Sequence, residues 1–144
     1  MARVKLDIPE NCIATISVPV RITDINYGNH LGNHAFVMII HEARMKWLQS
    51  YGHTELDIDG TGLIMSDLVI EFKSEGFYGD DVLIELYATE ISRVGFELYY
   101  RLFTKRNDEI ILLANAKTGM VCYDYAAKKV VPIPVKLLAM LKIN

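Results

Sequence analysis

Residues 24–33 place side chains that could move a proton or bind a polar group beside two glycines. The stretch reads D-I-N-Y-G-N-H-L-G-N, and its chemically useful members are Asp24, Asn26, His30 and Asn33. Imidazole titrates near neutral pH, so His30 is the group in this stretch best suited to accept a proton. Asp24 could orient His30 or a water molecule, or it could simply start a turn by bonding its own backbone. The pattern therefore fits either hydrolytic chemistry or a polar turn.

The elements on either side decide how these side chains are held. Apolar and polar residues alternate over 16–23, which predicts a half-buried strand that carries Asp24 and Asn26 at its end. Pro19 has no N–H, which places that strand at a free edge of the sheet. A helix of about five turns is predicted from the N-cap residue Asn33 to Gly52. Its apolar positions recur at steps of three and four: Phe36, Ile40, Ala43, Trp47 and Tyr51.

The predicted helix adds its own candidates. A helix that opens at Asn33 has unpaired N–H groups and a positive dipole end. The backbone amide of Asn33 could therefore donate to an oxygen that becomes negative, or the Asn33 side chain could merely cap the helix. His34, in the first turn, is a candidate for the lip of a pocket. Glu42 could orient a water or His30, or it could pair with Lys46 four residues further on.

The rest of the chain reads as strands. Four are predicted, over 63–73, 82–91, 96–104 and 110–123, with a tight turn at 92–95 and a short helix after 132–134. Short connections favour an antiparallel meander, so one long helix on one curled sheet gives an α+β fold. Asp67 lies within the first of these strands. It could face a cleft formed with a second subunit, or it could be an outward residue of a period-two strand.

Composition limits the partners. The 144 residues predict one domain, 1–144, and the 51% hydrophobic content suggests a homodimer or homotetramer. A net charge of -3 without a basic, aromatic-rich stripe argues against nucleic acid. The longest apolar run, 35–40, is too short to span a bilayer, and no apolar leader is seen, so a cytoplasmic protein without membrane contact is expected. Cys12 and Cys122 are expected to be buried free thiols, and no metal site is predicted.

Five short motifs, in this order of elements, resemble the hotdog-fold acyl-CoA thioesterases of the 4-hydroxybenzoyl-CoA thioesterase superfamily. The motifs are D-I-N at 24–26, N-H-L-G-N at 29–33, E-A-R at 42–44, Y-G-D-D-V-L-I-E at 78–85 and V-P-I-P at 131–134. The resemblance covers nearly the whole chain. It implies a hotdog fold, in which a curled antiparallel sheet wraps a long central helix, and hydrolysis of acyl-CoA or acyl-carrier thioesters. It also implies an oxyanion donor at Asn33 and coenzyme A phosphates near Arg93, although Arg93 could equally be a solvated charge at the tip of a hairpin.

Position 26 departs from the family pattern. Many members have an acid there that acts as nucleophile or general base, and this chain has Asn26. A carboxamide cannot activate water. We therefore expect His30 to do so, assisted by Asp24 or Glu42, while Asn26 positions water or substrate by hydrogen bonds. No cofactor is expected, since coenzyme A belongs to the substrate.

Two other functions fit the same residues. If Asn26 records lost catalysis, the chain would be a non-catalytic module that binds acyl-CoA or an acyl carrier. Alternatively, Asp24 and Asn26 followed by His30 resemble the D-x-N-P-x-H pattern of hydratases and dehydratases of this fold. Here the proline is absent and the histidine lies one residue too far along the chain.

Overall fold

A computed structural model describes residues 2–142 of the chain. In chain order its elements are β1 (Cys12–Pro19), α1 (Asn33–Gln49), β2 (Gly62–Phe72), β3 (Asp81–Thr89), β4 (Gly95–Arg106), β5 (Glu109–Asp124), β6 (Lys129–Val130) and α2 (Val135–Leu141). The four strands predicted after the long helix are confirmed, as are both helices. The short strand β6 carried no pattern long enough to predict it.

The first strand ends earlier than the alternation predicted. It stops at Pro19, and a 3₁₀ turn, Ile22–Asp24, follows. The Val20 N–H donates to the Asp80 carbonyl (2.9 Å), and the Asp24 carboxylate accepts the Arg21 N–H (2.8 Å). The first bond continues the pairing of β1 with β3 by one residue, whereas the second belongs to the turn, so the predicted strand over 16–23 is wrong in its second half.

The sheet is antiparallel and has the order β1-β3-β4-β5-β2, with β6 paired to β5. Strand β1 lies at an edge, which confirms the inference from Pro19. The predicted four-strand meander is wrong in one respect, because β2 pairs with β5 and not with β3. Residues 73–80 carry the chain from β2, at one edge, back to β3 near the other. The sheet thereby curls around α1, which needs cover on more than one side.

Helix α1 supplies the centre of the core. Its buried residues are Ala35, Phe36, Ile39, Ile40, Ala43, Arg44, Trp47 and Leu48. Trp47 is the only tryptophan, its side chain is 1% exposed, and its indole N–H has no hydrogen-bond partner among residues 2–142. Met38, in the apolar first half of α1, is 56% exposed. One face of the helix is therefore open.

The sequence predicted the C-terminal end of α1 correctly and the N-cap incorrectly. The N-cap is Gly32, without a side-chain cap bond, and Asn33 is the first helical residue, so the Asn33 cap was wrong. At the other end Gly52 has φ +80°, and its N–H donates to the Gln49 carbonyl (2.9 Å) while the His53 N–H donates to that of Leu48 (3.0 Å). This pair of bonds is a Schellman motif, which confirms Gly52 as the stop.

A buried polar chain joins α1 to the sheet and gives the E-A-R motif a structural role. The Arg44 guanidinium donates to Glu55 (3.1 Å) and to the Tyr100 hydroxyl (3.3 Å), and Tyr100 lies 2.7 Å from the Thr118 hydroxyl. Burial raises the pKa of Tyr100, so the phenol stays neutral. Since a buried charge is costly unless it is paired, these bonds are what allow Arg44 inside the core.

Both cysteines are free thiols, as predicted, but the expected burial is confirmed for Cys122 only, since Cys12 is half-buried. Cys122 is buried in β5, and that burial raises its pKa to about 11. A thiol with such a pKa is almost entirely protonated at neutral pH, so Cys122 is a packing residue. Within residues 2–142, neither helix combines the length and apolar character needed to span a bilayer.

Candidate active site

The loop before α1 is closed on itself by Asn26. Its carboxamide oxygen accepts the Gly28 N–H (2.9 Å) and the His30 N–H (3.3 Å), while the backbone N–H of Asn26 donates to the His30 carbonyl (2.8 Å). Asn29 takes up the left-handed conformation, φ 68°, that such a tight turn needs and that Asn tolerates. The oxygen of Asn26 is thus occupied by the loop, and only its NH₂ group is left to meet a ligand.

His30 faces a carboxylate that the sequence did not single out. Its Nε2 lies 3.5 Å from the Glu75 carboxylate, and its ring packs edge-on against Phe77, with 6.1 Å between centroids. The His30 side chain is 36% exposed and that of Glu75 is 62% exposed. Glu75 belongs to an ordinary S-E-G loop with no periodic pattern, so only the folded contact reveals it.

Asn26, His30 and Asn33 line one cleft, of about 360 Å³, beside the N-terminus of α1. The remaining lining residues are Leu31, Phe36, Phe72, Lys73, Ser74 and Glu75. Phe36 and Phe72 meet edge to face at 5.2 Å and provide apolar surface, while the loop provides polar groups. A cleft with these two parts suits a ligand that has an apolar body and a polar reacting group.

The start of α1 offers donors to this cleft. Among residues 2–142 the N–H groups of Asn33 and His34 make no hydrogen bond, as is usual in a first helical turn. His34 is exposed, and its ring lies over Gly32: a Cβ at position 32 would be 2.8 Å from the His34 Cε1. The glycine therefore lets the His34 ring close over the backbone that leads into the helix.

Asp24 and Glu42 do not lie in that cleft. They line a separate one, of about 320 Å³, between β1 and α1. The Asp24 carboxylate accepts the Arg21 N–H, three residues before it, so it closes the preceding 3₁₀ turn and does not start a new one. The alternative pairing of Glu42 with Lys46 is wrong, since the Lys46 ammonium donates to the Ser17 carbonyl (3.1 Å). The four predicted catalytic residues are therefore divided between two clefts of this chain.

Arg93 and Asp67 are also distant from His30 within one chain. Arg93 is exposed in the turn after β3, whereas the loop that carries Glu75 precedes β3, a strand of nine residues or about 30 Å. Asp67 is half-exposed on β2, where it accepts the Lys117 ammonium (3.0 Å) and the Gly119 N–H (2.8 Å). The Lys117 bond lowers the pKa of Asp67. Within residues 2–142, no cluster of His, Cys, Asp or Glu could hold a metal ion.

A curled antiparallel sheet around one long helix, with a polar loop and free amides at the start of that helix, defines a hotdog-fold thioesterase-like architecture. The model of the thioesterase-like superfamily matches residues 20–141. The chain belongs to that superfamily, which confirms the resemblance carried by the five motifs.

Solved structures agree with this placement. The chain is similar to Slr0204, a 1,4-dihydroxy-2-naphthoyl-CoA thioesterase from Synechocystis, with a TM-score of 0.78 and 25% identity over 88% of this chain and 93% of that one. The PA2801 protein of Pseudomonas aeruginosa superposes with a TM-score of 0.81 at 22% identity, over 90% and 98% of the two chains. The AQ1494 protein of Aquifex aeolicus superposes with a TM-score of 0.78 at 24% identity, over 90% and 99%. No curated protein matches the sequence.

Proposed function

We propose that the protein hydrolyses acyl-CoA or acyl-carrier thioesters and releases the free acid and the thiol. The observation that carries this proposal is one cleft that combines His30, the NH₂ group of Asn26 and the unpaired helix amides with an apolar floor. Thioester hydrolysis needs such a combination: a base for water, donors for the oxygen that becomes negative, and a place for the acyl group.

In this mechanism the thioester carbonyl oxygen lies at the free N–H groups of Asn33 and His34. His30 takes a proton from water as the water oxygen attacks the carbonyl carbon, and the helix amides stabilise the negative charge on the carbonyl oxygen. The C–S bond then breaks, and the imidazolium returns the proton to the leaving sulfur. Asn26 holds water or substrate through its NH₂ group. No cofactor takes part, because coenzyme A is part of the substrate.

The proposal extends to a homodimer or homotetramer. A groove of about 470 Å³ runs between α1 and the edge strand β2, and exposed apolar side chains of Met38, Leu56 and Met65 line it. A second copy would cover this surface. It could also bring its own Arg93 to the cleft at His30, where a guanidinium suits coenzyme A phosphates. We propose no nucleic-acid or membrane partner, a single domain over 1–144, and a cytoplasmic location.

The test is hydrolysis of a panel of short, long and aromatic acyl-CoAs, followed by detection of the free thiol. We expect turnover on at least one of them and a loss of about 100-fold or more in the His30→Ala variant, as expected for removal of a general base. The matched control is His53→Ala, because His53 lies far from the cleft, beside α2. A panel on which the wild type never exceeds the His30→Ala variant would overturn the proposal.

A second candidate is an acyl-CoA binding module without catalysis. It is favoured by one observation: the position where many relatives have an acid carries Asn26, whose oxygen is committed to the loop. Binding of an unhydrolysed acyl-CoA without turnover would support this candidate, and Asn26→Asp separates the two, as described below.

A further inference from the structure

The loop between β2 and β3 is fastened to the sheet by one arginine. Two nitrogens of the Arg106 guanidinium donate to the two oxygens of Asp80, both at 2.9 Å, and its Nη2 also donates to the backbone carbonyl of Glu75 (2.8 Å). A bidentate pair of this kind restrains orientation as well as distance. Arg106 therefore links strand β4 to both ends of the loop.

Further contacts make that loop stiff. The Asp80 carboxylate accepts the Phe77 N–H (2.9 Å), and the Asp80 N–H donates to the Phe77 carbonyl (3.1 Å). The Arg106 guanidinium also covers the Phe77 ring, 4.8 Å from its centroid, and the same ring packs edge-on with the His30 imidazole. Asp80 is buried, so these bonds are little screened by water.

The fastened loop packs backbone to backbone against the loop that carries His30. The Leu31 N–H donates to the Gly76 carbonyl (2.8 Å), and a Cβ at Gly76 would lie only 3.0 Å from the Leu31 side chain. Glu75 comes directly before this contact, which sets where its carboxylate can reach. The position of Glu75 relative to His30 is thus determined by Arg106 and Asp80.

We propose that Glu75 is a positioning residue for His30 and that Arg106 and Asp80 form a clamp that holds Glu75 in place. This inference rests on the proposed hydrolysis. Glu75 is the only carboxylate among the described residues that line the cleft with His30, since Asp24 and Glu42 line the other one. A carboxylate beside Nε2 favours the tautomer that carries the proton there and leaves Nδ1 to accept a proton from water. Glu75 would thereby supply the acid that position 26 lacks.

The nearby cation does not compete for this role. Lys73 lines the same cleft, but its ammonium is paired with the Glu71 carboxylate at 2.8 Å. Lys73 is therefore not the partner of the Glu75 carboxylate, which lies beside His30 instead.

Kinetics of Glu75 variants test the positioning role. We expect Glu75→Gln to lower kcat by about 10- to 100-fold with KM nearly unchanged, because the neutral amide no longer stabilises the imidazolium that forms at His30. Glu75→Asp should recover part of kcat, because a purely structural role would not depend on the charge. The control is Glu10→Gln, at an exposed carboxylate in the bend before β1. Wild-type kcat in Glu75→Gln, or no recovery in Glu75→Asp, would overturn the positioning role.

Amide exchange tests the clamp without reference to activity. In Arg106→Met the Leu31 N–H should exchange at least about tenfold faster, because Gly76 loses its anchor. Arg101→Met is the matched control: Arg101 lies on the same strand, pairs with Glu85 at 3.1 Å and covers an aromatic ring at 5.1 Å, away from the loop. Should Arg106→Met not fold, Asp80→Asn removes the same clamp with a side chain of the same shape.

Two comparisons complete the experiment. If Arg106 acts through Glu75, the double variant Arg106→Met/Glu75→Gln should have the kcat of Glu75→Gln alone, since the losses do not add. Equal Leu31 exchange in the Arg106 and Arg101 variants, or additive losses of kcat, would overturn the clamp. A wild-type protein that hydrolyses no thioester would contradict the proposed function instead. The exchange rate of the Leu31 N–H would still show whether Arg106 holds the loop.

Discussion

Asn26→Asp separates an enzyme that uses His30 from a protein that has lost its catalyst. The carboxylate keeps both acceptor contacts of the Asn26 oxygen, with the N–H groups of Gly28 (2.9 Å) and His30 (3.3 Å). Hydrogen bonds to a charged group contribute about 1.5–3 kcal/mol, against about 0.5–1.5 kcal/mol for neutral ones. Only the shorter bond, from the Gly28 N–H, is counted in full, and the free energy is reduced further because position 26 is half-exposed. The expected gain in the free energy of unfolding is therefore about 1 kcal/mol.

Calorimetry measures that gain as a rise in Tm of about 3 °C at pH 7. A carboxylate that gains N–H donors on folding has a lower pKa in the folded state. Its stabilisation is therefore present above about pH 4 and is lost as the pH falls further. The Tm values of Asn26→Asp and the wild type should converge near pH 2.

The rate of thioester hydrolysis gives the decisive result. If His30 already activates water, Asn26→Asp should not raise kcat and should instead lower it by about 3- to 10-fold, because the NH₂ donor that holds water or substrate is lost. A carboxylate that served as the missing general base would instead contribute about 10²- to 10⁴-fold. A gain of that size from an inactive parent, seen by free-thiol detection, would refute the assignment to His30 and favour the binding module.

Three further predictions rest on single contacts. Burial alone would raise the pKa of Asp80, but the Arg106 guanidinium holds that pKa below its usual range. Asp80→Asn should therefore lower the Tm at pH 7, and should lower it much less below pH 3, where the carboxyl is protonated. Calorimetry at both pH values measures this difference. At pH 8 a thiol reagent should leave Cys122 unlabelled in the native protein and label it in denaturant, as mass spectrometry would show; fast native labelling would contradict its burial. Gly95→Ala should destabilise the fold by about 2 kcal/mol or more in thermal melts, because its Cβ would lie 2.6 Å from the Met120 carbonyl oxygen.

The extent of each strand could be predicted because a period-two pattern is written within the strand itself. Strands β2 to β5 begin and end within about two residues of the predicted positions. The neighbour of β2 could not be predicted in the same way. The pairing of β2 depends on how the sheet curls around α1, and the sequence of β2 does not indicate whether β3 or β5 will lie beside it.

The site shows the same division between local and distant information. His30 and Asn33 fall in one cleft because they share one short loop, whose motif is contiguous in sequence. Asp24 was placed with them on the assumption of an extended chain, but the 3₁₀ turn directs it into another cleft. Glu75 reaches His30 from a different loop. Asp80, which helps to hold it there, lies in the Y-G-D-D motif, but nothing in the sequence indicates that Arg106 is its partner.

Trp47 gives this fold an optical consequence. It is the only indole in the chain, it lies at the centre of the core, and within residues 2–142 its N–H has no acceptor. An indole in such dry surroundings fluoresces at a shorter wavelength than one in water. The wavelength of the protein's tryptophan emission therefore reports whether α1 is packed in its sheet. Because the chain has one tryptophan, all of that signal comes from Trp47.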